Sequence, residues 1–150
     1  MTVYPNVPTI FNGAHSVDDR GILSFFNDID LSLWRRFYIV SNHQTGFIRA
    51  WHGHKNEHKM VIPLAGTSLV SAVKIDNWEN PSGDETPEKF ILAYETPRTL
   101  FIPSGFANGF KTLTRDAKLL FLSSSTLQES NSDDFRFAWD YWNPWEIECR

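Results

Sequence analysis

The sequence predicts an all-β fold, a sandwich or barrel, on three observations. The apolar runs are short and rich in Val, Ile, Phe, Trp and Leu. They recur at roughly ten-residue spacing with Gly, Pro and Asn between them, the rhythm of antiparallel strands rather than of βαβ units. Helical periodicity is nearly absent: the best stretch, Asp30 to Trp34, is too short to stand as a helix and reads equally as a strand lead-in.

In order along the chain, Ile22 to Phe26 follows Asp18-Asp19-Arg20-Gly21, a turn whose glycine is placed for a positive φ. Strands are expected over Trp34 to Val40, Phe47 to His52 and Lys59 to Leu64, ended by Ser41-Asn42, Gly53 and Ala65-Gly66. Ser68 to Ile75 carries apolar residues on both of its alternating sets, as a strand buried over most of its length does. Asn80 to Glu85 is a polar loop without chemistry of its own, and Lys89 to Tyr94, Thr99 to Ile102 and Lys118 to Ser123 complete the strands. Glu129 to Asp134 reads as a solvated loop. The tail from Phe135 to Trp145 is too aromatic to be left in water, so it is expected to pack along the barrel or across a subunit interface.

With 150 residues, 41% of them apolar and 15% aromatic, the chain has the size of one domain, residues 1–150, and the material for a packed core. Disordered and low-complexity classes are excluded. Fourteen basic residues stand scattered against eighteen acidic ones, a net charge of −4, which is neither a nucleic-acid footprint nor a polybasic membrane patch. The single Cys149 permits no intrachain disulfide. The opening MTVYPNVPTIF has no basic leader region, and no window approaches the length of a membrane span. The expectation is a soluble, cytoplasmic protein without nucleic-acid or membrane partners.

Chemistry concentrates in Arg49-Ala50-Trp51-His52-Gly53-His54-Lys55-Asn56-Glu57-His58-Lys59, which holds three of the five histidines. On a strand, His52 and His54 project to one face about 6.5–7 Å apart. Two imidazoles entering one cavity carry a desolvation penalty that a plain core does not require. Surface histidines on an edge strand, or core histidines bonded to carbonyls, are the unreactive alternative. Two reactive readings stay open. His52, His54 and His58 have a spacing suited to a transition metal. Alternatively, one imidazole removes a proton from carbon while Lys59 and Arg49 hold the resulting oxyanion.

Gly46, five residues, His52-x-His54, then Gly66 and Pro103-Ser104-Gly105-Phe106-Ala107-Asn108-Gly109-Phe110 resemble the two motifs of the cupin superfamily. More narrowly, Asp18-Asp19-Arg20-Gly21, Arg49-Ala50-Trp51-His52, Lys59 seven residues before Gly66, and Phe106 to Phe110 resemble the RmlC-like nucleotide-sugar enzymes. These include the dTDP-4-dehydrorhamnose 3,5-epimerases and the dTDP-sugar 3,4-ketoisomerases (WxcM-like proteins). Arg49 to Lys55 matches the ketoisomerase form of the motif more closely, and Tyr38 lies in the preceding strand as it does there. The resemblance spans Asp18 to Trp142.

It implies a jelly-roll (double-stranded β-helix) barrel whose mouth binds a nucleoside-diphosphate 4-keto-6-deoxyhexose, most often dTDP-linked, with neither metal nor cofactor, and a homodimer. By match, His52 is the base, His54 assists proton relay, Lys59 and Arg49 stabilise the enolate and hold substrate, and Arg20 contacts the diphosphate. Tyr38 is a catalytic phenol or a rim aromatic. Trp51 and Phe106 stack on a base or sugar or simply fill the barrel, and Asn108 binds substrate or is structural.

Four features depart from the epimerase pattern. Thr126 and Leu127 stand where the proton-donating Tyr is expected, and Asn108 replaces a His. In the epimerases a C-terminal segment supplies an Asp partner to the catalytic His, and no match to it is expected within these 150 residues. Strict alternation also sends Arg49 to the face opposite His52, so a bulge between them is required.

Overall fold

The computed structural model describes residues 4–150. Residues 1–3, part of the opening segment read as lacking a leader, lie outside it. The strands are β1 (Thr9–Asn12), β2 (Ala14–Asp18), β3 (Gly21–Phe25), β4 (Arg36–Ser41), β5 (Ile48–His54), β6 (Lys59–Ala65), β7 (Thr67–Lys74), β8 (Glu88–Ala93), β9 (Arg98–Ile102), β10 (Phe106–Thr112), β11 (Lys118–Ser123) and β12 (Phe135–Arg136). One short helix, α1 (Leu127–Asn131), follows β11. Two five-stranded antiparallel sheets, ordered β1-β9-β6-β11-β4 and β12-β5-β10-β7-β8, face each other as the halves of a jelly roll. The β2–β3 hairpin forms a separate two-stranded sheet. Among the described residues no helix is long and apolar enough to cross a membrane.

The expected strands form, most with ends shifted by a residue or two, and Gly21 turns the hairpin at φ 138°. The stretch from Asp30 becomes a single 3₁₀ turn, Leu31–Leu33, because the Asp30 carboxylate accepts the Ser32 N–H and the chain then straightens into β4. The sequence reading assigned no strand to β1, β2, β10 or β12. Phe106 to Thr112 is poor in β-branched residues, yet it is hydrogen-bonded on both edges, to β5 and to β7. Tertiary context overrides propensity there.

One core lies between the sheets, built from Val61, Val70, Leu92, Leu100, Ile102, Phe106, Phe110, Leu119 and Phe121. A second covers the outer face of the β5-bearing sheet, where Trp51, Leu69, Val73, Ile75 and Ala107 meet Trp142 and Trp145. The aromatic tail thus packs along the barrel. Trp51 is fully buried, and its indole N–H donates to the carbonyls of Trp139 and Trp142 at 3.0 and 3.1 Å. The Asn80 to Glu85 loop anchors the same tail: the Ser82 carbonyl accepts the Trp142 indole N–H at 2.9 Å, and the Pro81 carbonyl accepts the Tyr141 hydroxyl. Trp51→Ala is expected to lower unfolding free energy by about 3–5 kcal/mol, read as a reduced urea midpoint with loss of cooperativity at the C-terminal end.

Candidate active site

A cavity of about 290 Å³ opens between the two sheets. Tyr38 and Val40 from β4, Lys59 from β6 and Phe121 from β11 make one wall; Arg49, His52 and His54 from β5, with Asn108 and Phe110 from β10, make the facing one. Arg36 lies at the end of the first wall, and Ser130, Asn131, Asp134 and Arg136 close the side. Six of the nine residues singled out in the sequence therefore meet in one place: Tyr38, Arg49, His52, His54, Lys59 and Asn108.

Arg49 and His52 share a face because β5 carries a bulge. Asn108 is paired with His52 and Phe110 with Arg49, so Ala50 and Trp51 together oppose the single Gly109. The extra residue restores Arg49 to the cavity side and sends Trp51 outward. A Cβ at position 109 would fall 2.9 Å from the Arg49 carbonyl oxygen and against the Ala50 side chain, so glycine is what allows the bulge to close on β10.

Three of the nine lie elsewhere. Trp51 belongs to the outer core and Phe106 to the core between the sheets, so both fill space rather than stack on a ligand. Arg20 sits at the tip of the β2–β3 hairpin, its side chain 86% exposed and paired with Asp18; within its own chain it does not line the cavity.

The three-histidine metal set does not assemble. His58 accepts the Ser104 N–H through Nδ1 at 2.9 Å and stacks on Phe101, off the cavity. Both ring nitrogens of His54 are engaged, Nδ1 with the Asp133 carbonyl at 2.6 Å and Nε2 with Glu57 at 2.9 Å. Among the described residues no group of three His, Cys, Asp or Glu side chains is placed to hold a metal ion.

The His52 ring faces the cavity half-buried, and its carbonyl accepts the Asn108 side-chain N–H at 3.2 Å. Burial first, then the positive charges of Lys59 and Arg136, hold its pKa down to about 4, against the opposing pull of Asp134. The ring is neutral near pH 7 and able to accept a proton. On the opposite wall, the buried Lys59 amine donates to the Tyr38 hydroxyl at 3.0 Å. The Tyr38 oxygen thereby serves as acceptor and keeps its own O–H to donate into the cavity. Tyr38 stacks on Phe121 with ring centroids 5.1 Å apart, which fixes the phenol against that wall.

Several site residues escaped the sequence reading. Glu129 to Asp134 is not a plain solvated loop. A capping box between Thr126 and Glu129 starts α1, a signal present in the sequence as Thr-x-x-Glu. The chain then returns along β5, where Arg136 pairs with His52 and Phe135 with Gly53. Asp134 and Arg136 enter the cavity by this route and stand 3.0 Å apart. The Asp133 carboxylate caps the end of β5 by accepting the N–H groups of Lys55 and Asn56 at 2.8 and 2.9 Å. Arg36 and Glu57 carried no signal beyond their charge.

The family model described as dTDP-4-dehydrorhamnose 3,5-epimerase matches residues 13–142. The chain belongs to this family. Membership makes it an isomerase-type enzyme, in a family defined by dTDP-sugar isomerisation. A sequence search of curated proteins gives no match. The fold is shared with dTDP-4-dehydrorhamnose 3,5-epimerase from Bacillus anthracis, solved with TDP and pyrophosphate bound, at TM-score 0.74 and 20% identity over 95% of this chain and 86% of that one. It is shared with a 3,4-ketoisomerase from Helicobacter canadensis at TM-score 0.68 and 21% identity, over 89% and 93%. The sugar 3,4-ketoisomerase QdtA from Thermoanaerobacterium thermosaccharolyticum, in complex with TDP, matches at TM-score 0.67 and 21% identity over 89% and 90%.

Asp133→Ala leaves the Lys55 and Asn56 N–H groups without their acceptor. It is expected to lower stability by about 1–3 kcal/mol in urea unfolding, with Asp133→Asn recovering part of the loss.

Proposed function

We propose that the protein epimerises a nucleoside-diphosphate 4-keto-6-deoxyhexose, dTDP-linked, by proton transfer at carbon next to the ketone. The observation that carries this reading is an imidazole and a phenol on facing walls of one cavity lined by cations. His52 removes the α-proton, and the electron pair moves onto the C4 oxygen to give an enolate. Lys59 and Arg49 are the cations available to that oxyanion, worth far more in a partly dry cavity than in water. Tyr38 delivers a proton to the opposite face of the same carbon, which inverts it. In this reading Tyr38 takes the part of the phenol absent at Thr126 and Leu127, and no step calls on a metal or cofactor.

A 3,4-ketoisomerase is the second reading, favoured by the Arg49 to Lys55 motif and by the missing Tyr after β11. Incubation with dTDP-4-keto-6-deoxyglucose in heavy water separates the two. The epimerase puts deuterium on C3 or C5 with inversion, whereas the ketoisomerase moves the carbonyl from C4 to C3.

The same reading takes Arg20 to the substrate diphosphate through a second copy of the chain. The β2–β3 hairpin that carries it projects Val17, Ile22 and Leu23 into solvent, 63–70% exposed, an apolar surface suited to burial in a homodimer. Sedimentation is expected to show a dimer, and Arg20→Ala is expected to raise KM for the nucleotide sugar with kcat little changed.

Three outcomes test the chemistry. His52→Asn should reduce deuterium wash-in by about 10²–10⁴-fold; exchange at the wild-type rate sinks the base assignment. Tyr38→Phe should retain wash-in yet lose inversion, seen as labelled substrate without epimer. Because His52 works unprotonated, kcat/KM should fall as pH drops through about 4, rather than through the ordinary imidazole value of about 6.5.

A further inference from the structure

One buried carboxylate has no part in that mechanism. The Glu57 side chain is wholly buried behind the cavity wall, between the end of β5 and the start of β6. Its Oε1 accepts from Arg36 at 3.1 Å and from the Ser123 hydroxyl. Its Oε2 accepts from His54 Nε2 at 2.9 Å and from the Ser130 hydroxyl at 3.4 Å. Burial on its own raises such a carboxyl. Here the hydrogen bond from His54, the charge of Lys59 and the Ser123 hydroxyl outweigh it and hold Glu57 ionised, with a pKa of about 2.

The consequence falls on His54. Its Nδ1 lies 2.6 Å from the Asp133 carbonyl oxygen, which can only accept, so that nitrogen carries hydrogen. Its Nε2 faces an ionised carboxylate, which also can only accept. With an acceptor at each nitrogen, both contacts are hydrogen bonds donated by the ring only when both nitrogens carry hydrogen, which leaves no lone pair to take a proton.

We propose that Glu57 is a positioning residue that holds His54 doubly protonated, making the second histidine a fixed cation in the cavity wall and not a proton relay. This revises the relay role expected of His54 from its motif. The cation is embedded in a set of charges from each neighbouring element: Lys59 on β6, Arg36 on β4, Arg136 on β12 and Asp134 just before it, with the Asp133 carboxylate turned away onto the Lys55 and Asn56 amides. Beside His52, a permanent positive charge disfavours a second imidazolium and so helps keep the neighbouring ring neutral. The catalytic value of that arrangement rests on the enolate reading above; the protonation of His54 does not.

The test is nitrogen NMR on the full chain labelled with ¹⁵N-histidine, assigned by loss of one ring's signals in His54→Asn. Near neutral pH, both His54 nitrogens should carry hydrogen while His52 shows one bare nitrogen. Glu57→Gln, which keeps shape and removes charge, should uncover one bare nitrogen on His54 and lower kcat about tenfold with little change in KM. A bare His54 nitrogen in the wild-type protein overturns the proposal, and that spectrum decides the matter even where Glu57→Gln fails to fold. Two protons retained on His54 in a folded Glu57→Gln protein overturn Glu57 as their cause. Should the wild-type enzyme never exchange a substrate proton while His54 is found doubly protonated, the enolate reading falls and the role of Glu57 stands.

Discussion

The bulge in β5 is the constraint on which the rest depends. With one extra residue opposite Gly109, a single strand serves two opposed surfaces. Arg49 and His52 turn toward the cavity while Trp51 turns into the outer core. Regular pairing would leave either the guanidinium or the imidazole on the wrong face, since a strand reverses its side chains at every residue. The register shift is sustained from both sides: Gly109 leaves room for Ala50, and the tail carbonyls of Trp139 and Trp142 fix the indole of Trp51.

Electrostatics explains how so many cations coexist around a cavity of this size. Arg36, Arg49, Lys59 and Arg136 line it, with Asp134 as the carboxylate on the wall and Glu57 buried behind it. Each carboxylate is matched to a guanidinium, Asp134 to Arg136 and Glu57 to Arg36. The surplus positive charge lies with Arg49 and Lys59, on facing walls, and with His54 in the protonation proposed above. Such a surplus opposes a divalent metal ion and favours an anion that forms only during reaction, which agrees with His54 turning its nitrogens to a carbonyl and a carboxylate and His58 turning Nδ1 to the Ser104 N–H.

Much of this was legible in the sequence. Short apolar runs with turn residues between them mark most of the strands, and the conflict between alternation and the Arg49/His52 pair by itself points to a bulge. The His52-x-His54 pair, Lys59 and Tyr38 were identifiable as cavity residues. What escaped notice shares a physical reason. β10 is held by ladders on both sides, so its central Ala107, Asn108 and Gly109 are extended without needing intrinsic preference. Glu57, Arg36, Asp134 and Arg136 look like ordinary solvated charges until long-range contacts bring them together. Trp51 and Phe106 were ambiguous because an aromatic ring that packs and one that stacks on a ligand have the same signature in a sequence.

The return of residues 133–136 along β5, followed by the strap of Trp139, Trp142 and Trp145 across the back of the sheet, ties the site to the order of synthesis. Tyr38, Arg49, His52 and Lys59 are all encoded before residue 60, yet the Asp133 carbonyl that meets His54 Nδ1 and the cavity's side wall arrive more than seventy residues later. The strands up to β11 make up both five-stranded sheets except β12, while the residues after β11 supply the cavity's side wall and the tryptophans that cover the outer face of the β5-bearing sheet. The cavity's side wall and the outer core are therefore completed together, by the one run of chain from Ser130 to Trp145.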